Sequence, residues 1–171
     1  MATLEKIEFE RFPVCRFIGK SVYARCGMVQ SGNIFGHLWG ISGPVFDQLE
    51  NLREYATGEV PDIALLTFDK YDETKQLLGY TVGRFMKADT PVPDDLDYFD
   101  IPECMMAKVY IKGSFVDACG NACHIASDAI KAQAKYTVDW DKLPFEAEVY
   151  LTAPDDREDY IFGYYVPCHE K

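Results

Sequence analysis

The sequence predicts an α+β fold made of duplicated βαββ units with pseudo-twofold symmetry: an antiparallel sheet, helices on one side and a central ligand cleft. Three observations predict it. Several segments alternate apolar and polar residues with period two, as strands do. Two others place apolar residues along one side at helical spacing. The order strand, helix, strand, strand occurs twice within 171 residues, a length that suits one domain. The halves share this order without strong identity, so the repeat is one of pattern.

Residues 14–26 read as the first strand, and 27–43 as a Gly-rich segment, either a lid over a cleft or a surface loop. A helix is expected over 44–56. Pro44 suits its first turn, Phe46, Leu49 and Leu52 form its apolar side, and Thr57-Gly58 ends it. Strands follow over 63–69 and 78–86, joined by a turn-like stretch over 70–76. An acidic connector with prolines, 91–97, leads to the second half. There a strand over 105–112 and a lead-in over 113–120 precede a helix over 121–136, with Ile125, Ala129 and Ile130 as its stripe. Strands over 145–152 and 160–167 close the chain, with Pro154 and charged residues at the turn between them.

Composition narrows the function. A chain of this size can bury about 70% of its unfolded surface, so its core needs no covalent staple. The net charge of −11, from 28 acids and 17 bases, repels phosphate backbones and argues against direct nucleic-acid binding. It suits a cationic ligand or a basic protein surface, and equally suits simple solubility. No apolar run reaches the roughly 18 residues of a membrane helix. The charged start, MATLEKIEFERF, reads as folded protein rather than a signal peptide. These features predict a cytoplasmic protein of one domain over 1–171, with no DNA-binding part. Its six cysteines are expected as reduced thiols. Cys119, Cys123 and His124, with Cys168 and His169, are the candidate metal ligands by residue type. Their spacing matches no zinc pattern, and no metal or cofactor is expected.

The strand at 145–151 carries the chemistry. Phe145, Ala147, Val149 and Leu151 form an apolar face, expected to meet the helices; Glu146, Glu148 and Tyr150 point the other way. The bland alternative is a solvated outer face. The neighbouring strands speak against it, because Tyr110, Tyr160, Tyr164 and Tyr165 repeat there. Ring faces attract a cation and a carboxylate neutralises it. A partly buried Glu must find such a partner or shift upward in pKa, which also suits a general acid or base. The strand pattern leaves both uses open.

Four segments carry a family resemblance: Leu78-Gly79-Tyr80-Thr81-Val82-Gly83, Asp95-Leu96-Asp97-Tyr98-Phe99-Asp100-Ile101-Pro102, Glu148-Val149-Tyr150-Leu151, and Asp159-Tyr160-Ile161-Phe162-Gly163-Tyr164-Tyr165-Val166-Pro167. In this order the chain resembles the gyrase-inhibitor-like (GyrI-like) domain, also called the AraC-type effector-binding domain, over roughly residues 12–167. The resemblance implies a duplicated βαββ fold around a cleft and a ligand that is hydrophobic and cationic. It implies Glu148, beside Tyr150, as the central acid, with Glu146 as the other candidate. Tyr80, Tyr110 and Tyr160 follow as pocket aromatics. Trp39, ahead of the first helix, is added as a further wall residue. Where the family carries an aromatic before the acid, this chain has Ala147.

Three functions are consistent with this reading. The first is binding of a small, lipophilic cation as an effector or drug. The second is hydrolysis of an electrophilic, strained-ring compound, with Glu148 as general base and a tyrosine such as Tyr110 polarising the substrate. The third is a protein partner, as in gyrase inhibition.

Overall fold

The computed structural model describes residues 1–25, 34–57, 61–69, 77–151 and 159–171. Much of the predicted lid, the turn at 70–76 and the Pro154 turn lie outside the described residues. The secondary structure is mostly antiparallel strand with few helices, an α+β fold. The chain divides into two compact units, Met1–Phe12 with Glu103–Lys171, and Pro13–Pro102.

In the second of these units, β2 (Cys15–Arg25) pairs with β4 (Leu77–Lys87) and β5 (Asp97–Ile101), and β4 pairs with β3 (Asp62–Thr67), all antiparallel. Two short helices, α1 (Ile34–Gly40) and α2 (Gly43–Asn51), precede β3, with a turn of 3-10 helix over Arg53–Tyr55. Leu49 and Val45 of α2 pack on Ile18 and Met86 of the sheet. Arg84, on that same sheet face, reaches Glu50 of α2 at 3.1 Å and Asp62 at 3.2 Å.

In the other unit, β6 (Cys104–Gly113) lies between β1 (Thr3–Phe12) and β9 (Tyr160–Glu170). The far edge of β9 takes β8 (Phe145–Tyr150) along one stretch and the short β7 (Tyr136–Val138) along the next. The helix α3 (Phe115–Lys131) covers one face. Ser114 caps it by accepting the Asp117 N–H, and Lys131 complements its last turn. Its inner stripe is small: Ala118, Ala122, Ala126 and Ala129 are buried against Ala107, Val109, Ile111, Phe162, Tyr164 and Val166. Ile7 and Phe9 of β1 join that core, because their period-two alternation turns them inward and leaves Lys6, Glu8 and Glu10 on the other side.

Two expectations change. Helix α3 starts six residues before the predicted 121, since Ser114 is a good cap and Gly120 sits in open space on the helix rather than before it. The helix also lies on the opposite face of β8 from the one expected. Glu148 pairs with Tyr164 and Tyr150 with Phe162, and both β9 residues belong to the core beneath α3. The glutamate face is therefore the helix face. Phe145, Ala147 and Val149 point away from α3, and they too are buried. Among the described residues no helix is long and apolar enough to cross a membrane.

Candidate functional site

Alternation along β8 places Glu146, Glu148 and Tyr150 on one face, and antiparallel pairing with β9 sets Tyr160, Phe162 and Tyr164 beside them. Helix α3 adds Phe115, Cys119 and Cys123 from above. Phe115 meets Tyr160 edge-on, with ring centroids 5.1 Å apart, and Tyr150 meets Phe162 edge-on at 5.3 Å. Edge-to-face contacts of this kind are the favoured geometry for aromatic rings. An acid pair thus sits within an aromatic layer, under a helix whose inner residues are small.

The two carboxylates are held differently. Glu146 is 3% exposed and accepts a very short hydrogen bond from the Tyr164 hydroxyl and one from the Trp140 side chain. Among the described residues no basic side chain forms a salt bridge with it. Burial pushes its carboxyl upward, and the two donors offset part of the rise. Tyr164, buried against Glu146, is pushed well above its ordinary value. Glu148 is only half-buried and accepts a hydrogen bond from the Tyr150 hydroxyl at 3.0 Å.

The thiols above the pair feel the same surroundings. Burial raises Cys119 to about 12, with the Glu148 charge adding to it. Burial also raises Cys123, with a contribution from Glu146 that the Tyr164 hydrogen bond partly offsets. Burial lifts Tyr160 to about 12. These cysteines are protonated, poor nucleophiles at neutral pH. Among the described residues no group of three or more His, Cys, Asp or Glu is placed to hold a metal ion.

Tyr110, Trp39 and Tyr80 have partners of their own. Tyr110 does not join the acid pair: it belongs to the sheet face away from α3, where its ring packs on Tyr165 at 6.3 Å beneath the Lys6 ammonium at 4.9 Å. The sequence pattern sets both on the faces away from the helices; that holds for Tyr110 on β6, whereas Glu148 on β8 turns toward α3. Trp39 and Tyr80 belong to the other unit, where the Trp39 indole N–H donates to the Tyr80 hydroxyl at 3.0 Å. Phe115, Tyr164 and Trp140 were not predicted as site residues. Tyr164 was legible from its place on the Tyr160–Phe162 face. Trp140 follows β7 in a connecting segment, where no periodicity points to it.

No protein-family model matches the chain, and no curated protein matches it in sequence. Solved structures do share its fold. SAV2435 bound to tetraphenylphosphonium is 13% identical, with a TM-score of 0.63, over 97% of this chain and 94% of that one. The EcmrR C-terminal domain is 13% identical, with a TM-score of 0.60, over 97% and 98%. A hydrolase from Listeria innocua is 11% identical, with a TM-score of 0.58, over 95% and 91%. At these identities the likeness is one of fold.

Proposed function

We propose that the chain is a GyrI-like effector-binding domain whose ligand is a lipophilic organic cation held on the Glu146–Glu148 face. The observation that carries this reading is the environment of the acids. Glu146 is withdrawn from water and held by neutral donors, and among the described residues no basic side chain bridges it. Tyrosine and phenylalanine rings line the same face. A buried carboxylate lacks a counter-charge that a cationic ligand supplies, and ring faces reinforce the attraction once water is excluded. That a protein of like fold carries tetraphenylphosphonium supports the ligand class. Glu148, half-buried and bonded to Tyr150, is the acid an entering cation meets first.

Titration calorimetry with tetraphenylphosphonium and with neutral triphenylphosphine oxide tests this. The cation should bind more tightly, and Glu148→Gln should weaken it roughly tenfold or more, about 1.4 kcal/mol, with little change for the neutral compound. Equal loss for both compounds would remove the electrostatic role.

The Tyr150–Glu148 hydrogen bond supports a second reading. There Glu148 takes a proton from water while a tyrosine hydroxyl polarises a strained-ring electrophile. A fold shared with a hydrolase agrees with it. Incubation with an epoxide would then give product with wild type, while Glu148→Gln binds without turnover. Unchanged epoxide in the wild-type incubation leaves binding alone.

A further inference from the structure

The acid pair is longer than one positive charge requires. Glu146 and Glu148 are two residues apart on one strand face, so their backbone positions are separated by about 7 Å, twice the rise per residue. Each has its own phenol donor: Tyr164 bonds Glu146, and Tyr150 bonds Glu148. Helix α3 repeats the spacing above them. Cys119 feels the charge of Glu148 and Cys123 that of Glu146, and four residues of helix rise about 6 Å. Strand, phenols and helix therefore agree that the carboxylates stand in line, one deep and one half-buried, and do not converge on a point. A single positive centre can touch only one of the two carboxylates and acts on the other across the distance between them.

We propose that this face selects a flat aromatic dication whose positive centres lie about 7 Å apart, one against Glu148 and the other against Glu146. The inference rests on the cation-binding reading and narrows it to a substrate class. The ring between the two charges would lie along Tyr164, which pairs with Glu148 from β9 and donates its hydroxyl to Glu146.

Methyl viologen and N-methyl-phenylpyridinium test it. Both are flat two-ring cations of similar length, and the second lacks one charge. Titration calorimetry on wild type should give methyl viologen a Kd roughly tenfold or more below that of the monocation. Glu146→Gln should erase that preference, weakening methyl viologen roughly tenfold more than it weakens the monocation. Glu148→Gln should weaken both. Equal affinities in wild type, or a preference that survives Glu146→Gln, would overturn the proposal. If the monocation and tetraphenylphosphonium bind and weaken in Glu148→Gln while the dication has no advantage, the cation site stands and the dication inference falls. If none of the three cations binds, both fall.

Discussion

Gly83→Ala should cost the fold about 3 kcal/mol, measured as a lower midpoint of urea unfolding with an unchanged slope. Gly83 of β4 faces Gly19 of β2 in the pairing of those strands. A Cβ on Gly83 would lie 2.0 Å from the Ile18 carbonyl oxygen and 2.7 Å from the Gly19 Cα. Both are backbone atoms, so no side chain can swing aside and the strands must part. Gly120→Ala makes the same chemical change and should do the opposite. A Cβ there meets nothing within 4 Å, the position is exposed within α3, and glycine costs a helix interior about 1 kcal/mol relative to alanine. A gain at 120 and a loss at 83 would separate close backbone approach from helix propensity. Similar small effects at both sites would show that the β2–β4 contact relaxes.

The strands that alternate cleanly were the legible part of the fold. Residues 78–86, 105–112 and 160–167 correspond to β4, β6 and β9, with no end displaced by more than three residues. What the sequence hid had physical causes. Helix α1 lies inside the Gly-rich stretch 27–43, and at seven residues it is too short to declare a helical period. Strand β7 has three residues, fewer than any period can declare. Strand β5 follows an acidic connector, and its Tyr98 and Asp100 are exposed, so edge pairing with β2 rather than burial defines it.

The acids themselves were legible, but their side of the sheet was not. A strand with Phe145, Ala147 and Val149 on one face and two glutamates on the other reads as apolar-in, charged-out. In fact both faces of β8 are largely buried, and the helix takes the glutamate face. The missing information was the partner strand. Tyr160, Phe162 and Tyr164 supply apolar ring area against the alanines of α3, and Tyr164 also turns its hydroxyl to Glu146. Hydrophobicity alone does not credit tyrosine with both tasks. The order of burial also differs from the expected emphasis: Glu146 is the deep acid, and Glu148, favoured by the family spacing, is the accessible one.

The deep acid should leave a signature in the pH dependence of stability. Burial raises the Glu146 carboxyl above its ordinary value of 4.5. Between that value and the raised one, the folded chain holds a proton that the unfolded chain has lost. Stability therefore falls as pH rises through the folded value, and the contribution of Glu146 is complete only below the unfolded one. Glu146→Gln stays neutral throughout and keeps an acceptor for the Tyr164 hydroxyl. Urea unfolding from about pH 4 to about pH 8 should show the variant close to wild type in acid and increasingly the more stable as pH rises. Tyr164→Phe should act the other way, lowering stability by about 1–3 kcal/mol, because it strips a buried acceptor of its donor. It should also move the decline to higher pH, since the hydroxyl favours the ionised acid. Parallel curves for wild type and Glu146→Gln would mean that the carboxylate is solvated in solution. A diverging pair would mean that the fold maintains a desolvated acid at a cost in stability, as a site built to receive positive charge does.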